Sequence, residues 1–211
     1  PPLFMTWDDA ARIEIGNTED DFDKLAECDW IVEVVVENLK IKKDLLARVE
    51  KIRKPGAVVS SNTSGIPLRS MSEDLSPEFK QHFLGTHFFN PPRYLKLLEL
   101  IPHEKNSPEL LAFLQDFGTR VLGKGVVLCK DTPNFIANRL FSLMGSFDVG
   151  YAIEHGFSIE QVDNLVGPLI GRPKTGIFRL LDLVGLDVME HVNTNLSEAI
   201  PHDESRDILL N

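Results

Sequence analysis

Three polar side chains that could do chemistry together lie in or directly after short apolar runs. They are Ser64, His87 and Glu99. A histidine can exchange a proton near neutral pH, a carboxylate can hold its second N–H, and a serine hydroxyl can hydrogen-bond a substrate oxygen. Each run is typical of a buried strand, and open α/β sheets bind their ligands at the carboxyl ends of strands. The sequence therefore predicts one site built from these residues.

Each of the three residues also has an ordinary structural explanation. Ser64 precedes a glycine and could cap the next helix, while a histidine in a strand is commonly a core or surface residue. Two phenylalanines after His87 favour a site with limited access of water. Glu99 could face solvent on an edge strand, but within a buried run it would need a partner such as His87. A Ser–His–acid acyl-transfer triad is disfavoured because the sequence contains no Gly-x-Ser-x-Gly turn.

Three further polar residues are candidates by position. Glu37 is expected at the carboxyl end of the first strand, where its carboxylate could accept a ribose hydroxyl or cap the next helix. Lys42 is expected on a solvated helix face. Asn138 is expected one turn into a helix, either on the polar face or reaching back to the oxygen that Ser64 binds.

The composition limits the class of protein. A chain of 211 residues can hold one large domain or two small ones, and a net charge of −10 argues against nucleic acid as a partner. No apolar run approaches the roughly 20 residues of a membrane-spanning helix. Cys28 and Cys129 are isolated in the sequence and show no metal-ligand spacing. They favour a reducing compartment such as the cytoplasm, and no metal site is predicted.

The hydrophobic periodicity changes near residue 131. Before it, strands alternate with helices, which predicts an α/β domain with a parallel sheet and a mixed or antiparallel end; after it, the period is helical. The predicted strands are 29–36, 57–61, 83–89, 95–101 and 125–129. The predicted helices are 20–26, 38–52, 66–75, 108–122, 135–155, 159–165, 176–183 and 187–199. Residues 1–17 and the stretch that begins at Ser76 are expected to be connectors.

One expected motif of nucleotide-binding domains is missing from the sequence. A doubly wound domain normally begins with a strand, a glycine-rich turn and a helix. The sequence contains no Gly-x-Gly-x-x-Gly. The chain is therefore expected to begin after that first unit, and to bind a dinucleotide weakly or not at all by itself.

Six segments in order resemble the short-chain and fused 3-hydroxyacyl-CoA dehydrogenases of fatty acid β-oxidation. These segments are residues 36–42, 61–64, 85–91, 96–99, 130–139 and 182–187. Six ordered matches are far more specific than any one of them. The resemblance implies a partial Rossmann-like NAD-binding domain over residues 1–130, followed by a second, smaller, all-α domain over residues 131–211.

The resemblance also implies an activity, the oxidation of an L-3-hydroxyacyl-CoA to the 3-ketoacyl-CoA with NAD. It implies His87 as the general acid/base, Glu99 as its partner, and Ser64 and Asn138 around the C3 oxygen of the substrate. The residues that match the cofactor site of the family are Glu37, Lys42, Asn62, Ser64 and Asn90. A homodimer formed through the helical domain is implied as well.

The chain departs from the family pattern in the absent glycine-rich turn and in the loop over residues 171–178. The loop favours the long bacterial enzymes in which a hydratase and a dehydrogenase are fused. Two other functions stay open. One is a non-catalytic dimerisation or regulatory module derived from a dehydrogenase. The other is an NAD(P)-dependent β-hydroxyacid dehydrogenase, which usually places a lysine where this chain has His87.

Overall fold

The computed structural model describes residue 4 and residues 6–202. The chain forms two compact units, of which the first extends to Phe135 and the second begins at Ile136. The first unit contains strands and helices and the second contains helices. The predicted fold class is therefore confirmed, and the predicted domain limits of 1–130 and 131–211 stay a prediction.

The first unit is built on a five-stranded sheet. Its strands are β1 (Trp30–Glu33), β2 (Val58–Ser61), β3 (Phe83–Phe88), β4 (Leu97–Pro102) and β5 (Gly125–Leu128). The strands lie in sequence order. The first three are mutually parallel, β4 is antiparallel to β3, and β5 is parallel to β4. The expected sheet with a mixed end is thus confirmed.

Helices connect and cover these strands. Those of the first unit are α1 (Trp7–Ala10), a 3-10 helix (Phe22–Glu27), α2 (Leu39–Ile52), α3 (Leu68–Ser72), α4 (Pro77–Gln81), α5 (Pro108–Asp116) and a π-helical turn (Phe117–Val121). Side-chain caps fix several of the starts, among them those of α2 and α5. Asn38 Oδ1 accepts a hydrogen bond of 3.1 Å from the backbone N–H of Ile41 at α2, and Ser107 accepts one of 3.2 Å from Leu110 N at α5.

The central strands of the sheet are buried on both faces. Val59 and Phe83 pack in a core cluster with α2, α3 and α4, whereas their chain neighbours Val58 and Leu84 pack with Leu114 of α5. Successive strand residues point to opposite faces, so continuous apolar runs are what a sheet covered on both sides requires. Both core clusters thus hold β2 and β3 in place, and these strands lead to the site.

Several sequence predictions about elements are wrong. The expected connector over residues 1–17 contains helix α1. The first strand ends at Glu33 rather than Val36, because Glu33 Oε1 accepts a hydrogen bond of 2.6 Å from Val35 N and the chain leaves the sheet. The stretch at Ser76 is a helix, since Ser76 caps α4 and Pro77 is its first residue. The helix expected over 108–122 ends as an α-helix at Asp116 and continues as the π-helical turn.

The second unit, as far as the structure describes it, consists of packed helices. They are α6 (Ala137–Glu154), α7 (Ile159–Leu165), a 3-10 helix (Pro168–Ile170), α8 (Phe178–Val184) and α9 (Leu186–Ala199). Ala152, Val162 and Ile177 form a buried cluster between them. The four predicted helices of this region are confirmed with small shifts at their ends. None of the helices in the part of the chain that the structure describes combines the length and hydropathy of a membrane span.

Candidate active site

His87 and Glu99 face each other across two strands. They are direct partners in the antiparallel pairing of β3 with β4. The carboxylate oxygen Oε2 of Glu99 lies 2.8 Å from His87 Nδ1 and accepts its N–H. The side chains of His87 and Glu99 are only 4% and 1% exposed, so the alternative of a solvated Glu99 is wrong. Burial of this kind requires the partner that the register supplies.

Ser64 lies on the other side of the imidazole ring. Its hydroxyl oxygen is 3.1 Å from His87 Nε2. Because Nδ1 donates to Glu99, the neutral ring carries its lone pair on Nε2 and accepts from the serine hydroxyl. The structure thus brings together the three residues that the sequence predicted as one site.

Ser64 does not cap a helix, as the ordinary explanation would have it. The next helix is α3, and its first N–H groups, those of Leu68 and Arg69, donate to the carboxylate of Asp131 at 3.1 and 3.3 Å. Ser64 is exposed in the loop that follows β2. Its hydroxyl is therefore presented to His87 rather than used in a cap.

Aromatic rings enclose the histidine. Phe89 and Phe135 make edge contacts with the His87 ring at centroid distances of 4.5 and 5.5 Å. Phe135 is 3% exposed and has a φ of 51°, which is an unusual conformation for a bulky residue. Such strain persists only where the surrounding structure enforces it, and it concentrates at functional sites. Sequence reasoning missed Phe135 because nothing in its local pattern marks this backbone.

Glu37 binds the loop that carries Ser64. Its Oε1 accepts hydrogen bonds from the backbone N–H groups of Ser64 and Gly65 at 3.1 and 3.2 Å and from the hydroxyl of Thr63. Partial burial raises the pKa of Glu37, but the Thr63 hydroxyl and the nearby Lys42 ammonium outweigh it and leave that pKa below its usual value. Glu37 lies four residues beyond the end of β1, so the prediction that it ends the strand is wrong.

Lys42 is buried, and the prediction of a solvated side chain is wrong. Its ammonium lies 2.8 and 3.0 Å from the two oxygens of Glu33, 3.2 Å from Glu37 Oε2 and 3.3 Å from the carbonyl of Val35. The buried residues of α2 are Lys42, Leu46 and Val49, spaced as one helical face. That spacing is the signal in the sequence from which its burial could have been predicted.

Asn62 and Asn90 follow β2 and β3 at the same edge of the sheet. Asn62 Oδ1 accepts a hydrogen bond of 2.9 Å from the backbone N–H of Phe88, which ties the ends of the two strands together. Asn90 is exposed in the turn after β3. Both stand where parallel strands end, which is where cofactors bind in sheets of this kind.

Asn138 lies in the second unit. It is the second residue of α6 and is partly buried. Its predicted position near the oxygen bound by Ser64 stays a prediction.

Sequence reasoning also missed two residues that contact the site. Cys129 is 5% exposed, and its Sγ lies 3.5 Å from Glu99 Oε1. Glu33 is 4% exposed and pairs with Lys42. Glu33 carries the same signal that drew attention to Glu99, a carboxylate inside an apolar run.

The fold and site define an NAD-binding domain of the Rossmann-like type followed by a helical domain. The family model "3-hydroxyacyl-CoA dehydrogenase, NAD binding domain" matches residues 4–132, and "3-hydroxyacyl-CoA dehydrogenase, C-terminal domain" matches residues 135–211. The chain belongs to the 3-hydroxyacyl-CoA dehydrogenase family.

Individual relatives agree with this assignment. A probable 3-hydroxyacyl-CoA dehydrogenase of Bacillus subtilis is 55% identical over 189 residues, 90% of this chain and 24% of that relative. One of Deinococcus radiodurans is 44% identical over 208 residues, 97% of this chain and 59% of that relative. The crystal structure of (S)-3-hydroxybutyryl-CoA dehydrogenase from Ralstonia eutropha matches with a TM-score of 0.78 and 28% identity, covering 90% of this chain and 65% of that chain. The chain thus spans less than two thirds of each of these proteins.

Proposed function

We propose that the protein carrying this chain oxidises the hydroxyl of an L-3-hydroxyacyl-CoA to a ketone with NAD. The observation that carries the proposal is the line of contacts from the Ser64 hydroxyl through the His87 ring to the Glu99 carboxylate, at 3.1 and 2.8 Å. A secondary alcohol is oxidised when a base removes its hydroxyl proton as hydride leaves the carbon. The site offers such a base with its lone pair facing an exposed hydroxyl group.

His87 takes the hydroxyl proton of the substrate on Nε2. The imidazolium that forms is stabilised by the carboxylate of Glu99, which is held against Nδ1 by strand pairing. Ser64 lies within hydrogen-bond distance of the same nitrogen. A substrate oxygen that contacts both the Ser64 hydroxyl and His87 Nε2 would keep its proton in reach of the base, and Phe89 and Phe135 would limit competition from water.

The residues at the carboxyl edge of the sheet fit a nicotinamide cofactor. Glu37 keeps 45% of its side chain exposed there, and Ser64 and Asn90 are exposed in the loops after β2 and β3. NAD, when bound, supplies the acceptor for the hydride. Glu37 can accept a ribose hydroxyl, and Asn62, Asn90 and Ser64 can contact the nicotinamide end. Lys42 acts on the cofactor site through Glu37, because its ammonium is already surrounded by oxygens.

A comparison of substrates tests the proposal in the full-length gene product that contains these residues. We expect NAD-dependent oxidation of L-3-hydroxybutyryl-CoA and no comparable oxidation of free 3-hydroxybutyrate, measured by the absorbance of NADH. Equal rates with the free acid would favour a β-hydroxyacid dehydrogenase instead. No oxidation of either compound would favour a non-catalytic module, although a module of that kind has no use for a buried histidine–carboxylate pair.

Oligomeric state and location belong to the same proposal. Leu183 and Leu186 of the second unit are 69% and 68% exposed, which supports a homodimer formed through the helical domain. Sedimentation of the full-length protein would test it. Cys28 and Cys129 are not joined in a disulfide, which supports a location in the cytoplasm.

A further inference from the structure

A buried ion pair lies beneath the loops that follow β1 and β2. The side chains of Lys42 and Glu33 are 1% and 2% exposed, and their charged atoms are 2.8 Å apart. Moving two charges out of water costs several kcal/mol each, and apolar residues of similar size are commonly as stabilising. Stability alone therefore does not account for this pair, and the other contacts of the two side chains are informative.

Ser61 connects Glu33 to the loop that carries Ser64. The hydroxyl of Ser61 donates to Glu33 Oε2, and the same hydroxyl oxygen accepts a hydrogen bond of 3.1 Å from the backbone N–H of Thr63. Glu33 and Ser61 are also direct partners in the pairing of β1 with β2. These hydrogen bonds fix the backbone of Thr63, the residue just before Ser64.

Glu37 connects Lys42 to the same loop. The ammonium lies 3.2 Å from Glu37 Oε2. The other oxygen of Glu37 accepts from the hydroxyl of Thr63 and from the backbone N–H groups of Ser64 and Gly65. The two paths start from one ion pair and meet on residues 63–65.

We propose that Glu33 and Lys42 are positioning residues that hold the Ser64 hydroxyl against His87. The inference rests on the proposed function, because it assigns the ion pair to the orientation of a substrate-binding hydroxyl. Ser64 is itself exposed, and its backbone is held by Glu37. Because the carboxylate of Glu33 and the ammonium of Lys42 are fixed, they make that loop rigid. A small displacement of the Ser64 hydroxyl would lower the rate of the chemical step rather than the affinity for substrate.

A double-mutant cycle on Ser61 and Ser64 tests the proposal. Ser61→Ala breaks the path from Glu33 to Thr63 without changing a charge. In the full-length protein we expect it to lower kcat about tenfold with little change in KM. In the Ser64→Ala background the same change should have less than about a twofold effect, because the hydroxyl that it positions is gone. Glu73→Gln is the matched control, since it breaks the exposed pair with the neighbouring Lys43 and should leave kcat unchanged.

Ser61 is fully buried, so a second variant makes the test independent of its folding. Thr63→Val keeps the volume of the side chain and removes the hydroxyl that joins Glu37 to the loop. It should lower kcat as Ser61→Ala does, and this loss of kcat should be absent in the Ser64→Ala background. Equal losses in both backgrounds, or no loss in either, would overturn the positioning role. If Ser64→Ala and His87→Gln themselves retain the full rate, then it is the proposed function that fails.

Discussion

The two sides of the imidazole ring are built by different means. On one side, which we name the histidine side, His87 and Glu99 are placed by backbone pairing of β3 with β4. On the other, the serine side, Ser64 stands on a loop that is held by side-chain hydrogen bonds to Glu37. On the histidine side, strand pairing therefore fixes the backbone positions of both residues. On the serine side, the position of Ser64 depends on particular side chains.

This difference predicts how each side responds to substitution. On the histidine side, removal of a charge should change the chemistry while leaving the geometry intact, because the ladder hydrogen bonds remain. On the serine side, substitutions should act by moving Ser64, and their effects should depend on one another. The following experiments compare the two sides, beginning with the largest expected effect.

Glu99→Gln addresses the histidine side. The amide keeps the shape of the carboxylate but cannot stabilise the imidazolium, so we expect kcat to fall about 10²- to 10⁴-fold with little change in KM. Steady-state kinetics with L-3-hydroxybutyryl-CoA and NAD checks this. Glu104→Gln serves as the control and should keep the full rate, because Glu104 is an exposed glutamate just after β4. A loss of less than about threefold in Glu99→Gln would remove the carboxylate from the proton transfer.

Ser64→Ala addresses the serine side. Loss of one hydroxyl that binds the substrate oxygen should lower kcat about 100-fold, less than the histidine-side change, because the base remains in place. The variant should still bind the acyl-CoA, as measured by calorimetry. An effect confined to KM would mean that Ser64 contributes binding and nothing to the transition state.

Much of the histidine side could be predicted from the sequence, and less of the serine side. A histidine and a carboxylate in consecutive apolar runs stand out, and antiparallel pairing of neighbouring strands brings them together. Lys42 is predicted to lie in solvent because lysine is rarely buried. Its place on the buried face of α2 is a signal of burial, but the partners that compensate its charge come from β1 and the loop after it and cannot be predicted from that spacing. Helix α4 was missed for a simpler reason: Ser76 and Pro77 are signals of a helix start as well as of a turn.

Cys129 tests whether the carboxylate of Glu99 needs a second support. Its Sγ lies 3.5 Å from Glu99 Oε1, and S–H is a weak donor. We expect Cys129→Ala to lower kcat about two- to fivefold and Cys129→Ser, which keeps a donor, to lower it less. Full rates in both variants would show that strand pairing alone orients Glu99.

Glu37→Gln should show a small pH-dependent loss of stability. The pKa of Glu37 is lowered in the folded protein, so its ionised form contributes stability above the unfolded-state pKa, and this is lost as the pH falls through the folded-state value. With 45% of the side chain exposed, screening by solvent limits the effect to about 1 kcal/mol or less near neutral pH. Unfolding midpoints of both proteins should converge in acid. A constant difference at all pH values would contradict this assignment.

The rate of hydride transfer in His87→Gln, measured in a single turnover, tests the central claim most directly. His82→Gln is the matched control, because His82 lies just before β3 and its imidazole contacts Glu78 of α4. We predict a fall of about 10²- to 10⁴-fold in His87→Gln with unchanged affinity for the acyl-CoA, and a full rate in His82→Gln. A rate in His87→Gln within about twofold of the unmodified protein would contradict the assignment of His87 as the catalytic base.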